Sequence, residues 1–572
     1  MPQKAWQILP HPPPGLSQSL CLTFFQTTLL YHRGAMNSED IKAFLSVDSR
    51  LSTDPLILPD MGKAVARIEQ AVARRETVGI FGDFDVDGIT ATAILVLGLK
   101  NIGLTAIPYL PNRKDEGHGL NSEAVAVLRA QGATLMITAD CGTNSSMEIA
   151  LGSSLGMDTV VTDHHTVQES FAGAVAVINP KREDSHVRDS VLTGAGLAYK
   201  LVEAVYSSLG KSLPDDLVGL AALGTVADVG PLQKENRFIV KRGLEALGHT
   251  KRPGIQALIS KSRQTKDSLN TETLSFWLIP RLNAAGRLGD AKLSLDLLTT
   301  DSPSTAERIA DELNEINAKR REISDEAYLQ ASEQILQSGP ELPLVLMVEN
   351  KNWVPGVLGL IAGRLAEEYY RPVIAATSDK DICRASARSI PEFNISAALE
   401  ENAELLLRFG GHPMAAGFSA SLRNLPALMK SITERAKKQL NPSELVPSIK
   451  IDAEIGPSEV SGNNFKFIKR LEPFGAGNPE PIFLNRGAQV ISARMVGADK
   501  RHTQMQIDCD GTWWNAIAFH QDHNLKPGDQ IDIVYKMTLN EWNGTRRLQL
   551  NIVDLKMSEQ FTDTAGTSQQ FL

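Results

Sequence analysis

The sequence predicts an α/β protein in four parts: a doubly wound parallel-sheet domain, a long connector helix, a second, smaller α/β domain and a C-terminal OB-fold β-barrel. Short apolar runs alternate with helical patterns from about residue 75 to 230, which indicates parallel strands joined by helices. Residues 307–337 are charged and lack glycine and proline, which favours one long helix. Short alternating runs between turns after residue 446 are typical of a small barrel.

The divisions between these parts follow the changes in pattern. The predicted strands of the first sheet are five apolar runs, at residues 78–81, 106–110, 135–138, 159–162 and 175–178. The predicted parts are an N-terminal segment at 1–60, the first α/β domain at 61–302, the connector at 303–340, the second α/β domain at 341–445, the barrel at 446–557 and a disordered tail at 558–572. Ligands of a parallel sheet gather at the carboxyl ends of its strands, so polar residues that follow these runs are candidates for a site.

The composition is that of a globular protein, with 42% hydrophobic and 22% charged residues. No apolar run is long enough to cross a bilayer, and the N-terminus lacks a signal-peptide cleavage pattern. The four cysteines are too scattered for a zinc site or a disulfide framework, which predicts a reducing cytoplasm. Because the net charge is −9, any binding of nucleic acid requires local basic grooves.

Three aspartates, Asp83, Asp85 and Asp87, alternate between the first apolar run and a helical pattern. Their charges repel one another, and hard divalent cations such as Mg²⁺ and Mn²⁺ would relieve that repulsion. The same spacing opens a calcium-binding EF-hand loop, which needs a glutamate at its twelfth position. Ile94 stands there, so calcium is disfavoured. A solvated acidic turn is the remaining alternative for this loop taken alone.

Three further polar clusters lie at the ends of strands or in an apolar helical context. Asp140 ends one predicted strand, the run Asp163-His164-His165 follows another, and Asp228 lies in an apolar helix. Taken singly, each has an ordinary explanation as a loop cap or as a core or surface histidine. Charged residues are seldom buried without partners. Together with the aspartate loop, the clusters therefore predict a site for two metal ions.

These motifs resemble the signature of the DHH phosphoesterase superfamily, and further motifs resemble its RecJ family of single-strand-specific exonucleases. The further motifs are Pro111-Asn112-Arg113, Gly117-His118-Gly119-Leu120-Asn121, Gly194-Ala195-Gly196, Gly224-Thr225-Val226-Ala227-Asp228, residues 280–287, residues 353–359, Gly410-Gly411-His412 and residues 471–479. The resemblance covers nearly the whole chain. The sequence departs from the family pattern at three positions. Val354 stands where the family often has histidine, Ala385 where it often has glycine, and His118 where it often has an aromatic residue.

The resemblance implies 5′-to-3′ exonuclease action on single-stranded DNA, which releases mononucleotides with two Mn²⁺ or Mg²⁺ ions and serves DNA repair and recombination. It implies catalytic roles for Asp140, His164 and His165, with Asp140 bridging the metals and His165 contacting or protonating the phosphate region. The allotment of the first three aspartates between the metals stays open. The implied metal ligands are Asp83, Asp85, Asp87, Asp140, His164 and Asp228.

The resemblance also implies where the substrate binds. Arginine offers a planar fork for phosphate oxygens, and glycine lets backbone N–H groups approach a phosphate. A salt bridge or a tight turn is the alternative for each residue taken alone. The predicted substrate contacts are Arg113, Arg281, Asn283, Arg287, Arg388, Ser389, Gly411 and His412.

The C-terminal barrel is expected to bind single strands through stacking aromatics and basic residues. Packing within the barrel is the alternative for most of these aromatics. The resemblance implies a monomer assisted by a single-strand-binding protein and a helicase. A phosphodiesterase of short or cyclic oligonucleotides, a pyrophosphatase and a non-catalytic DNA-binding relative are the alternative functions. The barrel candidates are Trp513, Trp514, Phe519, Trp542, Lys500, Arg501, Arg546 and Arg547.

Overall fold

The computed structural model divides the chain into two compact units. The first consists of Val47–Val446 with Pro473–Asn478, and the second of Gln3–Ser46, Pro447–Glu472 and Pro479–Leu572. The predicted N-terminal segment is thus shared between the units. The predicted disordered tail beyond Ser558 and the candidate Lys500 lie outside the described residues. The structure describes residues 4–113, 116–168, 173–265, 268–339, 341–497, 501–519, 524–542 and 545–558.

A parallel sheet is the centre of the first unit, and within the described residues it has five strands. Every predicted strand is present, and each strand end lies within two residues of the prediction. The central strands are buried on both faces, which explains their near-continuous apolar sequences. The strands, in spatial order, are Thr105–Tyr109, Thr77–Gly82, Ala133–Ala139, Asp158–Thr162 and Ala176–Ile178.

Helices cover both faces of this sheet, and further helices follow its last strand along the chain. The most deeply buried is Val86–Asn101, whose residues are buried from Val86 to Leu99. A single π-turn, Leu274–Leu278, precedes the helix that begins at Ile279. The other helices before the connector are Met61–Arg74, Ser122–Ala130, Ser146–Ser154, Gly194–Ser208, Leu217–Ala227, Lys234–His249, Pro253–Lys261, Thr271–Thr273, Ile279–Leu288 and Lys292–Thr299.

The predicted connector is one helix of 35 residues, Pro303–Gln337. Ser302 caps it by accepting a hydrogen bond from the backbone N–H of Thr305, and Pro303 begins the first turn. Its N-terminal half packs into the core of the first sheet through residues such as Leu313. Its C-terminal half packs into a separate core through residues such as Ile335. The helix therefore joins two hydrophobic cores within one unit.

The second α/β part of this unit is a mixed sheet, five-stranded within the described residues. Its first two strands in sequence pair in parallel, and the others pair antiparallel. In spatial order the strands are Leu406–His412, Ala415–Ser421, Ile382–Arg388, Val373–Asp379 and Leu346–Glu349. The helices beside them are Leu358–Tyr369, Ile395–Glu400 and Leu425–Gln439.

The second unit contains the predicted barrel. Phe483–Val496 pairs with both His502–Cys509 and Gln530–Trp542, and this double pairing closes the sheet. The expected OB-type barrel is confirmed. The other strands are Ala5–Ile8, Ser448–Ile451, Ala453–Glu454, Thr512–Ala518 and Thr545–Met557, and the helices are Leu16–Leu20, Phe24–Tyr31, Ser38–Ser46 and Gly462–Arg470. In the part of the chain that the structure describes, no helix has the length and apolar character needed to cross a membrane.

Candidate metal centre

The aspartate loop lies at the carboxyl end of strand Thr77–Gly82. Asp83 accepts a hydrogen bond from the backbone N–H of Phe84 at 2.7 Å. Asp85 caps the following helix by accepting one from Gly88 at 3.1 Å. A Cβ on Gly88 would stand 2.5 Å from the carbonyl oxygen of Asp83, so the loop can close only over a glycine. The loop therefore concentrates carboxylates at a helix N-terminus, where the helix dipole favours negative charge.

Asp87 is fully buried and held by the start of another helix. Its carboxylate accepts hydrogen bonds from the backbone N–H groups of Gly194 at 2.8 Å and Ala195 at 2.9 Å. A Cβ on Gly194 would lie 2.4 Å from Cβ of Asp140, and one on Gly224 would lie 2.7 Å from Oδ1 of Asp87. These two glycines are therefore required by the close approach of the helices to the carboxylates.

Asp140 and His164 meet at the ends of neighbouring strands. The backbone N–H of Asp140 donates to the carbonyl oxygen of Thr162 at 2.9 Å, which continues the strand pairing by one residue. Asp140 has a positive φ of 64°, a conformation that turns the chain sharply at the strand end. Oδ1 of Asp140 lies 3.0 Å from Nε2 of His164. The turn thus directs a buried carboxylate towards an imidazole.

Three overlapping groups of side chains in the described residues have ligand atoms within 4.8 Å of one another. Asp140 belongs to two of them and so is suited to be shared by two ions. Among the described residues, none donates a hydrogen bond to Oδ1 of Asp140, although this atom is buried. Carboxylate oxygens and imidazole nitrogens are ligands that suit Mn²⁺, and a buried oxygen without a donor fits a cation. The groups are Asp83, Asp85 and Asp140; Asp87, His164 and Asp228; and Asp140, His164 and His165.

The electrostatics of the cluster favour bound cations. Burial, followed by repulsion between the carboxylates, raises the pKa of Asp87 and Asp140 well above the usual range. The same causes raise the pKa of Asp228 to about 6. Burial and the charge of His165 lower the pKa of His164 to about 3, so its ring is neutral at pH 7, as a metal ligand must be. Metal ions would offset the carboxylate charges.

His165 differs from its neighbour because Asp163 orients it. Nδ1 of His165 lies 2.7 Å from Oδ1 of Asp163, and the backbone N–H of His165 donates to the same oxygen at 3.0 Å. Burial alone would lower the pKa of His165, but the bond and charge of Asp163 outweigh it and raise the pKa to about 9. His412 stacks nearby, with ring centroids 6.0 Å apart. A charged imidazolium therefore lies beside the metal cluster.

Three predicted substrate contacts, Arg113, Arg287 and Arg388, affect one another electrostatically. Burial, then the charges of other arginines that include Arg113 and Arg388, lower the pKa of Arg287 to about 9. Burial and the charge of Arg113 lower the pKa of Arg388. The charges of Asp83 and Asp85 act on Arg113, and that of Asp85 acts on Arg287, but they do not offset the effect of burial on the pKa of these arginines. Such a group of half-buried cations is suited to an anion.

Glycines of the second α/β part bring its backbone against these arginines. Nη1 of Arg287 donates to the carbonyl oxygen of Gly356 at 3.1 Å. A Cβ on Gly356 would stand 2.0 Å from the carbonyl oxygen of Arg287, and one on Gly359 would stand 2.8 Å from Nη2 of Arg388. Glycine at 356 is therefore required by this packing, whereas a side chain at 359 would displace only the flexible end of Arg388.

Other predicted substrate contacts have different surroundings. The guanidinium of Arg281 is buried and donates to Asn314 Oδ1 and to the carbonyl oxygens of Trp277 and Lys261. The hydroxyl of Ser389 donates to the carbonyl oxygen of Phe393 at 2.6 Å. Both side chains thus use protein acceptors and stabilise the local fold.

Asn283 and Gly411 complete the set of predicted contacts. Asn283 is half-buried on the helix Ile279–Leu288. Gly411 has a φ of 142°, and a Cβ there would stand 2.4 Å from the carbonyl oxygen of Ala415. The hairpin that presents His412 therefore requires glycine at 411.

Sequence reasoning missed Lys181. It follows strand Ala176–Ile178, at the sheet edge that carries the aspartates. Asn179 is buried, accepts a hydrogen bond from the backbone N–H of Lys181 at 2.8 Å and donates to the carbonyl oxygen of His165 at 2.9 Å. Burial, then the charges of His165 and Lys181, lower the pKa of His412. The rule that selected Asp140 and His164, a polar residue after a strand, also selects Asn179 and Lys181.

His118 is a second residue near the cluster that the sequence did not mark as a site. Its Nδ1 lies 3.2 Å from Oδ2 of Asp83, and its ring centroid lies 4.3 Å from that of Phe84. The sequence marks His118 only as a departure from the usual aromatic residue of a family motif, and not as a site residue. From this sequence pattern, a site residue can be distinguished from a turn residue only when the fold is known.

Some of the aromatic residues predicted to bind DNA are exposed on the barrel of the second unit. Trp513 and Phe519 are 59% and 47% exposed. Trp514 is half-buried, and within the described residues its indole N–H has no acceptor. The side chain of Trp542 lies outside the described residues. The alternative of packing inside the barrel therefore does not describe the exposed Trp513 and Phe519, and their contact with DNA stays a prediction.

Comparison with known families matches three regions of the chain. The models described as "DHH family, N-terminal domain", "DHHA1 domain" and "RecJ OB domain" match residues 77–225, 343–438 and 451–554. The chain is 34% identical to the single-stranded-DNA-specific exonuclease RecJ of Bacillus subtilis (strain 168) over 96% of this chain and 70% of the relative. The chain belongs to the RecJ family. The resemblance seen in the sequence motifs is confirmed.

Other RecJ proteins extend the comparison. The single-stranded-DNA-specific exonuclease RecJ of Escherichia coli (strain K12) is 34% identical over 86% of this chain and 90% of the relative. The crystal structure of RecJ in complex with Mn²⁺ from Thermus thermophilus has a TM-score of 0.84 to this chain and 29% identity, and the match covers 97% of this chain and 80% of that one. The same RecJ in complex with Mg²⁺ has a TM-score of 0.78. The predicted fold class is confirmed by these likenesses.

Proposed function

We propose that this chain is a metal-dependent exonuclease that hydrolyses single-stranded DNA from its 5′ end to mononucleotides, in DNA repair and recombination. The observation that carries the proposal is the set of three overlapping ligand groups, two of which contain Asp140, in a chain of the RecJ family. The relatives are named single-stranded-DNA-specific exonucleases, and their solved structures contain Mn²⁺ or Mg²⁺. The polarity, the products and the use of two ions are part of the proposal.

The proposed metal ligands form two sides of one site. Asp83 and Asp85 would hold one ion, Asp87, His164 and Asp228 the other, and Asp140 both. Two ions bound there would activate a water molecule and offset the charge that develops on the phosphate oxygens. The neutral ring of His164 and the buried position of Asp140 support these roles. The glycines at 194 and 224 preserve the space in which the carboxylates lie.

The surrounding cations would hold the substrate. His165, protonated at pH 7, would donate a hydrogen bond to a non-bridging oxygen of the scissile phosphate or a proton to the leaving oxygen. Arg113, Arg287 and Arg388 would bind the phosphate at the 5′ end, because their half-buried guanidinium groups lie close enough to repel one another. A fixed distance between these two groups would set the cut at the terminal nucleotide.

The barrel would add affinity for a long strand through exposed aromatics such as Trp513 and Phe519 and through basic residues such as Arg501 and Arg547. We infer that the enzyme acts as a monomer in the cytoplasm, beside a single-strand-binding protein and a helicase. The four cysteines are all unpaired, which supports a reducing compartment.

A comparison of four substrates tests this proposal. The purified protein is incubated with Mn²⁺ and a 5′-phosphorylated single strand, the matching duplex, a dinucleotide or a cyclic dinucleotide, and EDTA is the control. We expect mononucleotides from the single strand only, and no product with EDTA. Preference for the duplex, or for the dinucleotide or cyclic dinucleotide, would contradict the proposal.

A further inference from the structure

A strained turn follows Asp228. Asp228 ends the helix Leu217–Ala227, and the next residue, Val229, has a positive φ of 56°. This backbone conformation is a genuine outlier for a β-branched residue, and it persists only where neighbouring contacts hold it. The backbone N–H of Gly230 donates to the carbonyl oxygen of Thr225 at 3.0 Å, which fixes the start of the turn. The contacts that fix its other end come from elsewhere in the chain.

The loop Pro473–Asn478 supplies those contacts. The backbone N–H of Leu232 donates to the carbonyl oxygen of Ala476 at 2.6 Å. Nε2 of Gln233 donates to the carbonyl oxygen of Gly477 at 2.8 Å. A Cβ on Gly475 would stand 2.7 Å from Cδ1 of Leu232, which is itself buried. The loop thus covers the residues that follow the strained turn.

The loop is itself fixed to this unit. Its backbone closes on itself through paired hydrogen bonds between Gly475 and Asn478. The carbonyl oxygen of Phe474 accepts a hydrogen bond from Oγ1 of Thr271 at 2.6 Å, and that of Pro473 accepts one from the buried Arg237 at 3.4 Å. A fixed loop can transmit its position to the segment beneath it.

We propose that the loop Pro473–Asn478 is a positioning element for Asp228. By holding Leu232 and Gln233, it keeps the strained turn at Val229 in the conformation that brings the Asp228 carboxylate to the cluster. No side chain in the described residues forms a hydrogen bond with the Asp228 carboxylate, and Nε2 of the neutral His164 lies 3.8 Å from its Oδ2. The inference rests on the proposed role of Asp228 as a metal ligand. The residues on either side of the loop in sequence belong to the second unit.

Binding of Mn²⁺ alone, followed by electron paramagnetic resonance, tests the inference. Gly475→Val forces the loop away from Leu232, and Thr271→Val removes one loop anchor with little change in shape. Gly62→Val is the matched control, because a Cβ at that exposed helical position meets no atom within 4 Å. Asp228→Asn marks the Mn²⁺ site that depends on this carboxylate. Outer-shell changes commonly weaken metal binding by about 10- to 100-fold.

We expect Gly475→Val to weaken the same Mn²⁺ site as Asp228→Asn by about tenfold or more, Thr271→Val to weaken it less, and Gly62→Val to leave it unchanged. The double variant Gly475→Val with Asp228→Asn should bind no more weakly than Asp228→Asn alone, because both changes act through one carboxylate. Unchanged Mn²⁺ binding in Gly475→Val and Thr271→Val, or additive losses in the double variant, would overturn the positioning role. Unchanged binding in Asp228→Asn would instead overturn the proposed ligand set.

Discussion

Nδ1 of His165 lies 2.7 Å from Oδ1 of Asp163, two residues earlier in the same loop. This contact separates the chemistry of two adjacent histidines, because His164 has a lowered pKa and His165 a raised one. Asp163 itself is fully buried, and the hydrogen bonds and charge of His165 hold its pKa below the usual range although burial opposes this. His164 is thus suited to be a neutral metal ligand, and the adjacent His165 is suited to be a charged contact for phosphate.

Changing the orienting carboxylate should therefore reduce the reaction rate. We expect His165→Ala to lower kcat by about 10²- to 10⁴-fold, the range typical of a positioned acid or base. Asp163→Asn should give a smaller loss in kcat with little change in KM. Steady-state kinetics on a single strand check both, with Mn²⁺ affinity as the control for intact ligands. A kcat of Asp163→Asn within twofold of the wild type would contradict the orienting role.

The arginine group should recognise a terminal phosphate. Because charge-assisted hydrogen bonds contribute about 1.5–3 kcal/mol each, Arg388→Ala should raise KM for a 5′-phosphorylated strand roughly 10- to 100-fold. Arg388→Lys should recover only part of this loss, because lysine lacks the planar fork. The same strand with a 5′-hydroxyl is the control, and its KM should change little. Equal effects on both strands would show that Arg388 acts elsewhere.

The close approach of Gly194 to Asp140 gives a test of packing around the cluster. Gly194→Ala introduces a Cβ 2.4 Å from Cβ of Asp140, and such overpacking costs about 1–3 kcal/mol. We expect lower thermal stability and weaker Mn²⁺ binding. Gly62→Ala, at an open helical position, should be neutral or slightly stabilising. Mn²⁺ binding by Gly194→Ala that equals the wild type would mean that Asp140 can move without affecting the metals.

Asp452 should make the second unit sensitive to acid. Burial alone would raise its pKa, but the hydrogen bond from His32, the charge of Arg33 at 3.2 Å and the backbone N–H of Ile482 outweigh it and lower the pKa. A carboxyl whose pKa is lower in the folded state stabilises the fold fully above its unfolded pKa, about 3.9. That stabilisation is lost as the pH falls through the folded pKa.

Asp452→Asn should remove this acid-dependent stabilisation and cost about 3–5 kcal/mol at pH 7, because it removes the carboxylate that offsets the buried charge of Arg33. Hydrogen exchange of the strand Ser448–Ile451, measured between pH 7 and pH 3, checks the effect. Glu454→Gln is the control, since this carboxylate is exposed on a neighbouring strand. Equal pH dependence in wild type and Asp452→Asn would contradict the assignment.

The sequence predicted those parts of the fold in which local pattern and tertiary structure agree. The five strands of the first sheet are buried on both faces and so appear as apolar runs. The connector has a clear start at Ser302 and no internal breaker. Asp83, Asp140 and His164 converge because parallel strands end at one edge. These features depend on short stretches of chain.

Long-range contacts could not be predicted in this way. The strand Ala5–Ile8 pairs in parallel with Ser448–Ile451, and no local pattern in either strand indicates the other. Arg281 stays a predicted phosphate contact, but the three protein acceptors of its guanidinium could not be predicted from the sequence. Lys181 lies near the site because its backbone N–H donates to Asn179, whose side chain donates to His165 only in the folded chain. Each of these outcomes depends on which distant residues become neighbours.

The most direct test of the account is release of nucleotide from a single strand labelled at its 5′ or 3′ end, by the wild type and by Asp140→Asn, with Mn²⁺ present. The account predicts that the wild type releases the 5′ label first, as a mononucleotide. It also predicts that Asp140→Asn releases almost none, because the carboxylate shared by both ligand groups is lost. Undiminished release by Asp140→Asn, or earlier release of the 3′ label by the wild type, would contradict it.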